Sequence, residues 1–158
     1  MIIKKICCFA GHSKLYDMEE VYNKCLPLLD ELIVKENIEE FWVGNYGDFD
    51  KLASKMVGDL KEKHPTICLS LVLPYITTEV NEHKNVYYEK FDNIIIADIP
   101  EKTPRNIQII KCNQYMIQNS AYFLCYISHY WGGAFKTLEY AKKQKNIQIV
   151  NLAAAIVK

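Results

Sequence analysis

Gly132 and Gly133 stand in the stretch Tyr130-Trp131-Gly132-Gly133-Ala134-Phe135-Lys136-Thr137-Leu138-Glu139, between an apolar run and a segment of helical period. Paired glycines let a backbone turn sharply and let a ligand approach it closely. A helix opening there presents unpaired N–H groups to an anion such as a phosphate. Glu139 follows about one turn into that helix. Its carboxylate could reach a bound ribose and stabilise developing positive charge or activate water, or it could simply pair with Lys142 or Lys143. Other turns share this composition. In Gly11-His12-Ser13, His12 could be a phosphate ligand, a base or a solvated loop histidine. Gly44-Asn45-Tyr46-Gly47-Asp48 leads into Asp50, which could contact a ribose or favour a helix start. Tyr46, Tyr130 and Trp131 could stack on a base or cover a core. His64, His83 and His129 have no metal-ligand spacing with one another or with the cysteines, so no metal site is expected.

Elements that bring these turns together can be read from the apolar pattern. Short apolar runs alternate with longer segments of helical period, as in a parallel α/β sheet. The expected strands are Ile2–Phe9, Phe41–Gly44, Thr66–Leu73, Asn93–Ala97, Tyr122–Ser128 and Ile147–Leu152. The first expected helix runs from Asp17 to Glu36, with Val21, Cys25, Leu28, Leu29, Leu32 and Ile33 on one face and a bend at Pro27. A second opens at Asp48, a third starts at Thr103-Pro104, with Thr103 as its N-cap, and ends near Asn119, and a fourth runs to about Lys145. The polar and aromatic segment from Pro74 to Asp92 has no clean period and reads as a loop with at most one helical turn. Together these predict a Rossmann-like, doubly wound, mostly parallel sheet of about six strands with helices on both faces. In such sheets ligands bind outside the C-terminal strand ends, near the reversal of strand order. The glycine turns would gather at that edge.

Composition bounds the partners. The chain has 158 residues, enough for one continuous core, and no linker or repeat, so a single domain over 1–158 is expected. Its 19 basic and 19 acidic residues cancel. A protein that coats nucleic acid or an anionic membrane relies on surplus Lys and Arg, so neither partner is expected. The N-terminal apolar run is too short for a signal peptide and no stretch approaches a membrane span, which predicts a cytoplasmic protein. Of the six cysteines, four fall in apolar segments and none forms a C-x-x-C pair, so buried reduced thiols are expected.

"CCFAGH", "VGNYGDFDKLA", "NQYMIQNSAYFLCYI" and "GGAFKTLEYAKKQ", in this order, resemble the small stand-alone members of the SLOG superfamily. That group is named for the Smf/DprA DNA-processing proteins and the lonely-guy (LOG) enzymes. LOG enzymes carry a PGGxGTxxE motif and hydrolyse the N-glycosidic bond of a cytokinin riboside monophosphate. Under this resemblance Gly132 and Gly133 match the motif glycines and Glu139 its carboxylate. Trp131, Phe135 and Lys136 stand where the motif has Pro, Gly and Thr, and Thr137 lies one place after the motif threonine. The motif's partner arginine, on the preceding helix, has Lys111, Cys112 and Asn113 as its nearest equivalents; Lys111 keeps the charge without the bidentate geometry.

The resemblance and the turns together imply binding of a nucleotide or nucleotide-derived molecule, such as an ADP-ribose or cyclic-nucleotide signal. The expected ligand contacts are Gly11, His12, Ser13, Gly44, Asn45, Gly47, Asp50, Lys111, Asn113, Trp131, Gly132, Gly133 and Thr137. The alternative is a LOG-like nucleoside monophosphate phosphoribohydrolase with Glu139 as the catalytic carboxylate. Single-stranded DNA binding ranks lower, because no basic stripe with interleaved aromatics is present. No cofactor is called for. Self-association as a homodimer is implied by the resemblance, with the aromatic segment Tyr75 to Phe91 as its surface.

Overall fold

A computed structural model describes residues 5–153. Six parallel strands form one sheet: β1 (Ile6–Gly11), β2 (Glu40–Val43), β3 (Cys68–Leu73), β4 (Asn93–Ile96), β5 (Tyr122–Tyr126) and β6 (Gln148–Asn151). Their spatial order is β4-β3-β2-β1-β5-β6. The chain winds outward from β1 to β4, then crosses back to place β5 on the other side of β1. The reversal of strand order therefore lies between β1 and β5, the doubly wound arrangement expected of the sequence. Cys7, Cys8, Phe9, Ala10 and Gly11 pair in register with Tyr122 through Tyr126.

Alternation along the strands feeds two cores. Cys7 and Phe9 of β1, Phe41 and Val43 of β2, and Leu69, Leu71 and Leu73 of β3 face one side. They pack on α1 (Met18–Glu36) and α2 (Asp48–Leu60). Cys8, Ala10, Trp42, Phe123 and Cys125 face the other, against α5 (Arg105–Gln118) and α6 (Gly133–Lys142). The central strands are buried on both sides, which is why they read as unbroken apolar runs. Helix α1 buries Val21, Cys25, Leu29 and Ile33, starts on the Asp17 side chain, which accepts from the Glu20 N–H, and ends at Asn37 in the left-handed conformation. It runs through Pro27 without interruption, and Leu28, expected on the buried face, is exposed.

Several local expectations are corrected. The segment after β3 holds α3 (Thr78–Glu82) and α4 (Lys84–Lys90) rather than a loop with at most one turn. Thr77 caps α3 by accepting from the Val80 N–H, and Val80 and Phe91 anchor the pair in the core, so two buried residues replace the missing period. Thr103 is not the N-cap of α5. Its hydroxyl donates to the Pro100 carbonyl and Pro104 takes the cap position. Strand β1 begins at Ile6 and continues two residues beyond Phe9, because β5 offers a pairing partner as far as Tyr126. Ile2 and Ile3, placed in that strand by the sequence, lie outside the described residues. All six cysteines are free thiols, and only Cys68 is not fully buried. No helix among the described residues is long and apolar enough to cross a membrane.

Candidate functional site

The turns after β1, β2 and β5 meet above the strand reversal. The β1 turn is stitched to the start of α2: the Asp48 N–H donates to the Ser13 carbonyl at 2.9 Å, and the Leu15 N–H donates to the Asp48 carboxylate at 2.9 Å. On its other side the His12 N–H donates to the Tyr126 carbonyl. Gly47 is needed where the turns touch, since a Cβ there would lie 2.5 Å from Ser13 Cα. Around these turns is a cavity of about 650 Å³, lined also by the start of α1, the middle of α5 and the first turn of α6. Its size and its place at a topological switch point are those of a small-molecule site.

Of the residues expected to contact a ligand, Gly11, His12, Ser13, Gly47, Asp50, Asn113, Trp131, Gly132 and Gly133 line this cavity. Gly44, Asn45, Lys111, Thr137 and Glu139 do not. Lys111 is exposed on α5, two residues from cavity-lining Asn113 and so nearly opposite it on the helix. Thr137 is fully buried beneath the glycine turn; its hydroxyl donates to the Gly133 carbonyl at 3.0 Å and accepts from the Asn113 amide at 3.4 Å. It braces the first turn of α6 from below. Glu139, about half exposed, pairs with Lys142 at 3.4 Å. It sits two residues past Thr137, on nearly the opposite side of α6 from the contact that faces the site.

Gly132 has φ +91°, a conformation that strains any side chain, and it caps α6. Gly133 has nothing within 4 Å of where a Cβ would stand, and with Gly132 and Ala134 it lines the cavity, so the first turn of α6 borders open space. Open space at a helix N-terminus is where an anion is favoured.

Behind this opening three rings form a column. His12 stacks on His129 with centroids 3.7 Å apart and an 11° interplanar angle, and His129 stacks on Trp131 at 3.9 Å and 20°. His12 is buried, and its Nε2 accepts from the Ser128 N–H at 2.8 Å. The proton of the neutral ring is therefore on Nδ1. Burial, and secondarily the neighbouring His129, hold His12 below its usual pKa. His129 Nδ1 is enclosed with no hydrogen-bond partner among the described residues.

Asp50 supplies the cavity's carboxylate from α2. It accepts from the Tyr46 N–H at 3.0 Å, and no cation pairs with it among the described residues. Its surface is partly open, yet protein surrounds most of the carboxyl group. Burial pushes its pKa up to about 6 against the pull of the Tyr46 and Gly47 amides. It can thus hold or release a proton near neutrality. Asp17 and Glu20, also in the lining, are otherwise engaged: one caps α1 and the other pairs with Lys24 at 2.8 Å.

Sequence inspection missed His129, Lys14, Tyr16 and the Ile109-Ile110 pair in the lining. In the sequence His129 stands out only as a histidine without metal-ligand spacing. Its position two residues before Trp131 was a signal for a ring stack; its contact with His12 was not, because that partner comes from the other end of the chain.

No family model matches the chain, and no curated protein matches it significantly. Among solved structures, the fold is similar to that of DNA processing protein A (DprA) from Streptococcus pneumoniae, with a TM-score of 0.65 and 11% sequence identity. The likeness covers 92% of this chain and 49% of that one, so the chain spans about half the length of that protein. The architecture is a DprA-like, Rossmann-like α/β fold.

Proposed function

We propose that the protein binds a phosphate-bearing nucleotide or nucleotide-derived small molecule in the cavity between the β1, β2 and β5 turns, as a stand-alone member of the SLOG group. The observation that carries this is the open first turn of α6, set beside Asp50 and an aromatic column in one cavity of about 650 Å³. An anion has helix N–H groups, a ribose has a carboxylate acceptor, and a base has rings, all within one site. Thermal shift with AMP, ADP-ribose, NAD and cyclic dinucleotides tests it, because a ligand of the folded state raises the melting temperature with concentration. A flat response across that panel removes the proposal.

DNA is the second reading. The structurally similar DprA is a DNA-processing protein, so the fold lends no support to excluding nucleic acid. Against it, the lining sets Lys14 and Lys24 beside Asp17, Glu20 and Asp50, a balance that suits a small ligand better than a polyanion. A single-stranded oligonucleotide that outcompetes AMP reverses this ranking. Hydrolysis through Glu139 draws no support from that residue's outward pairing with Lys142.

Self-association belongs to the same proposal. Tyr75, Ile76, Val86 and Tyr88 are exposed around α3 and α4, as the dimer expectation requires. Sedimentation at micromolar concentration should show a species heavier than the 18.4 kDa chain; a monomer throughout sinks the dimer and leaves the ligand site standing.

A further inference from the structure

We infer that the His12–His129–Trp131 column is a nucleobase platform, with Trp131 as the contacting ring and the two histidines as its support. The inference rests on the nucleotide proposal above and says which part of the ligand meets which wall. Trp131 lines the cavity, yet 70% of its surface is open. One face of its indole is taken by His129. A large apolar ring is thus held out toward solvent by a stack rooted in the buried His12, which the Ser128 N–H fixes in turn. Such a ring is preorganised, so a base can cover it at little ordering cost. Tyr130, next in the chain, is more exposed and turns its ring edge-on to Phe135, outside the cavity lining. Adjacent Gly132 and Gly133 bring the α6 N–H groups beside the indole, so phosphate and base can be engaged by consecutive residues.

Every base has a π face, so the platform tolerates all bases and favours the larger purines. This assigns His12 a positioning role for the base. Its Nε2 accepts from the Ser128 N–H, which fixes the ring beneath the stack.

The test compares AMP, CMP and ribose 5-phosphate by calorimetry on wild type, Trp131→Ala and Trp131→Phe, with fluorescence alongside. Trp42 is buried and serves as the internal reference for quenching. Removing the indole should weaken AMP about tenfold or more and CMP less, from the usual strength of base–aromatic stacking, while ribose 5-phosphate binds as before. Phe at 131 should restore most AMP affinity. AMP should quench the wild-type fluorescence in excess of the Trp131→Phe variant. His129→Ala should weaken AMP selectively and His129→Phe should rescue it, which a merely structural defect would not do. Equal losses for AMP and ribose 5-phosphate, or unchanged AMP affinity in Trp131→Ala, overturn the platform while the nucleotide proposal survives. Wild type that binds none of these compounds overturns the platform, and if ADP-ribose, NAD and cyclic dinucleotides also fail to bind, the nucleotide proposal falls with it.

Discussion

Asp50 and Glu139 both stand in helices opened by glycine-bearing turns, α2 and α6, yet the fold gives them opposite chemistry. Asp50 projects from the first turn of α2 into the cavity, meets a backbone amide and no cation, and is pushed up to about 6 by burial. Glu139 lies in the second turn of α6, about half exposed beside Lys142. A carboxylate's capacity for proton transfer depends on how much water it has lost and on what replaces that water. Motif position alone does not set it. The difference arises from helix phase: two residues separate Glu139 from Thr137, which faces inward, whereas Asp50 shares its end of α2 with the turns that enclose it.

The largest effect expected from this contrast is in Asp50→Asn. Asn keeps an acceptor for the Tyr46 N–H and removes the buried charge. The folded carboxyl titrates near 6 and the unfolded one near its ordinary value of about 3.9. Between those values the folded protein holds more protons than the unfolded chain, so wild-type stability rises as pH falls through this window and is lost as pH rises past 6. Asp50→Asn should therefore be more stable than wild type by about 1–3 kcal/mol at pH 8, with the gap closing near pH 4. His12 acts in the opposite sense. Its lowered pKa makes the folded state lose stability as pH falls below about 6.5, but this is common to both proteins and cancels in the difference. Denaturant titrations from pH 4 to 8 measure the gap; parallel curves would show that Asp50 is as well solvated as Glu139 and erase the contrast.

A much smaller effect is expected at Glu139→Gln. An exposed pair three residues apart on a helix is worth about 0.5 kcal/mol or less, and salt screens it. The variant should match wild type within that margin at every pH, and its affinity for AMP should be unchanged. A tenfold loss of AMP binding would bring Glu139 into the site after all and restore the carboxylate role that the LOG resemblance gave it.

The order and type of the main elements were legible because both cores impose simple periods. Strands buried on two faces appear as apolar runs, and α1 and α2 show their inward stripes at helical spacing. The glycine turns at the cavity were legible too, since the positive φ of Gly132 strains any side chain and Gly47 leaves no room for one against Ser13. The helices α3 and α4 were hidden because they are anchored by Val80 in α3 and by Phe91 just past α4, with no inward stripe to mark a helical period.

By itself, then, the sequence determined the alternation of strands and helices and the turns where backbone must bend or approach closely, because these are local demands of dihedral freedom and of burial on each face. Which side chains enter the cavity was decided only by the tertiary structure. Placing β5 beside β1 sets His129 on His12, and stitching the β1 turn to α2 sets Asp50 in the lining. The phase of α6 against α5 turns Thr137 inward to Asn113 and leaves Glu139 outside. Those choices depend on pairings between distant segments and on desolvation by neighbours that no local spacing contains.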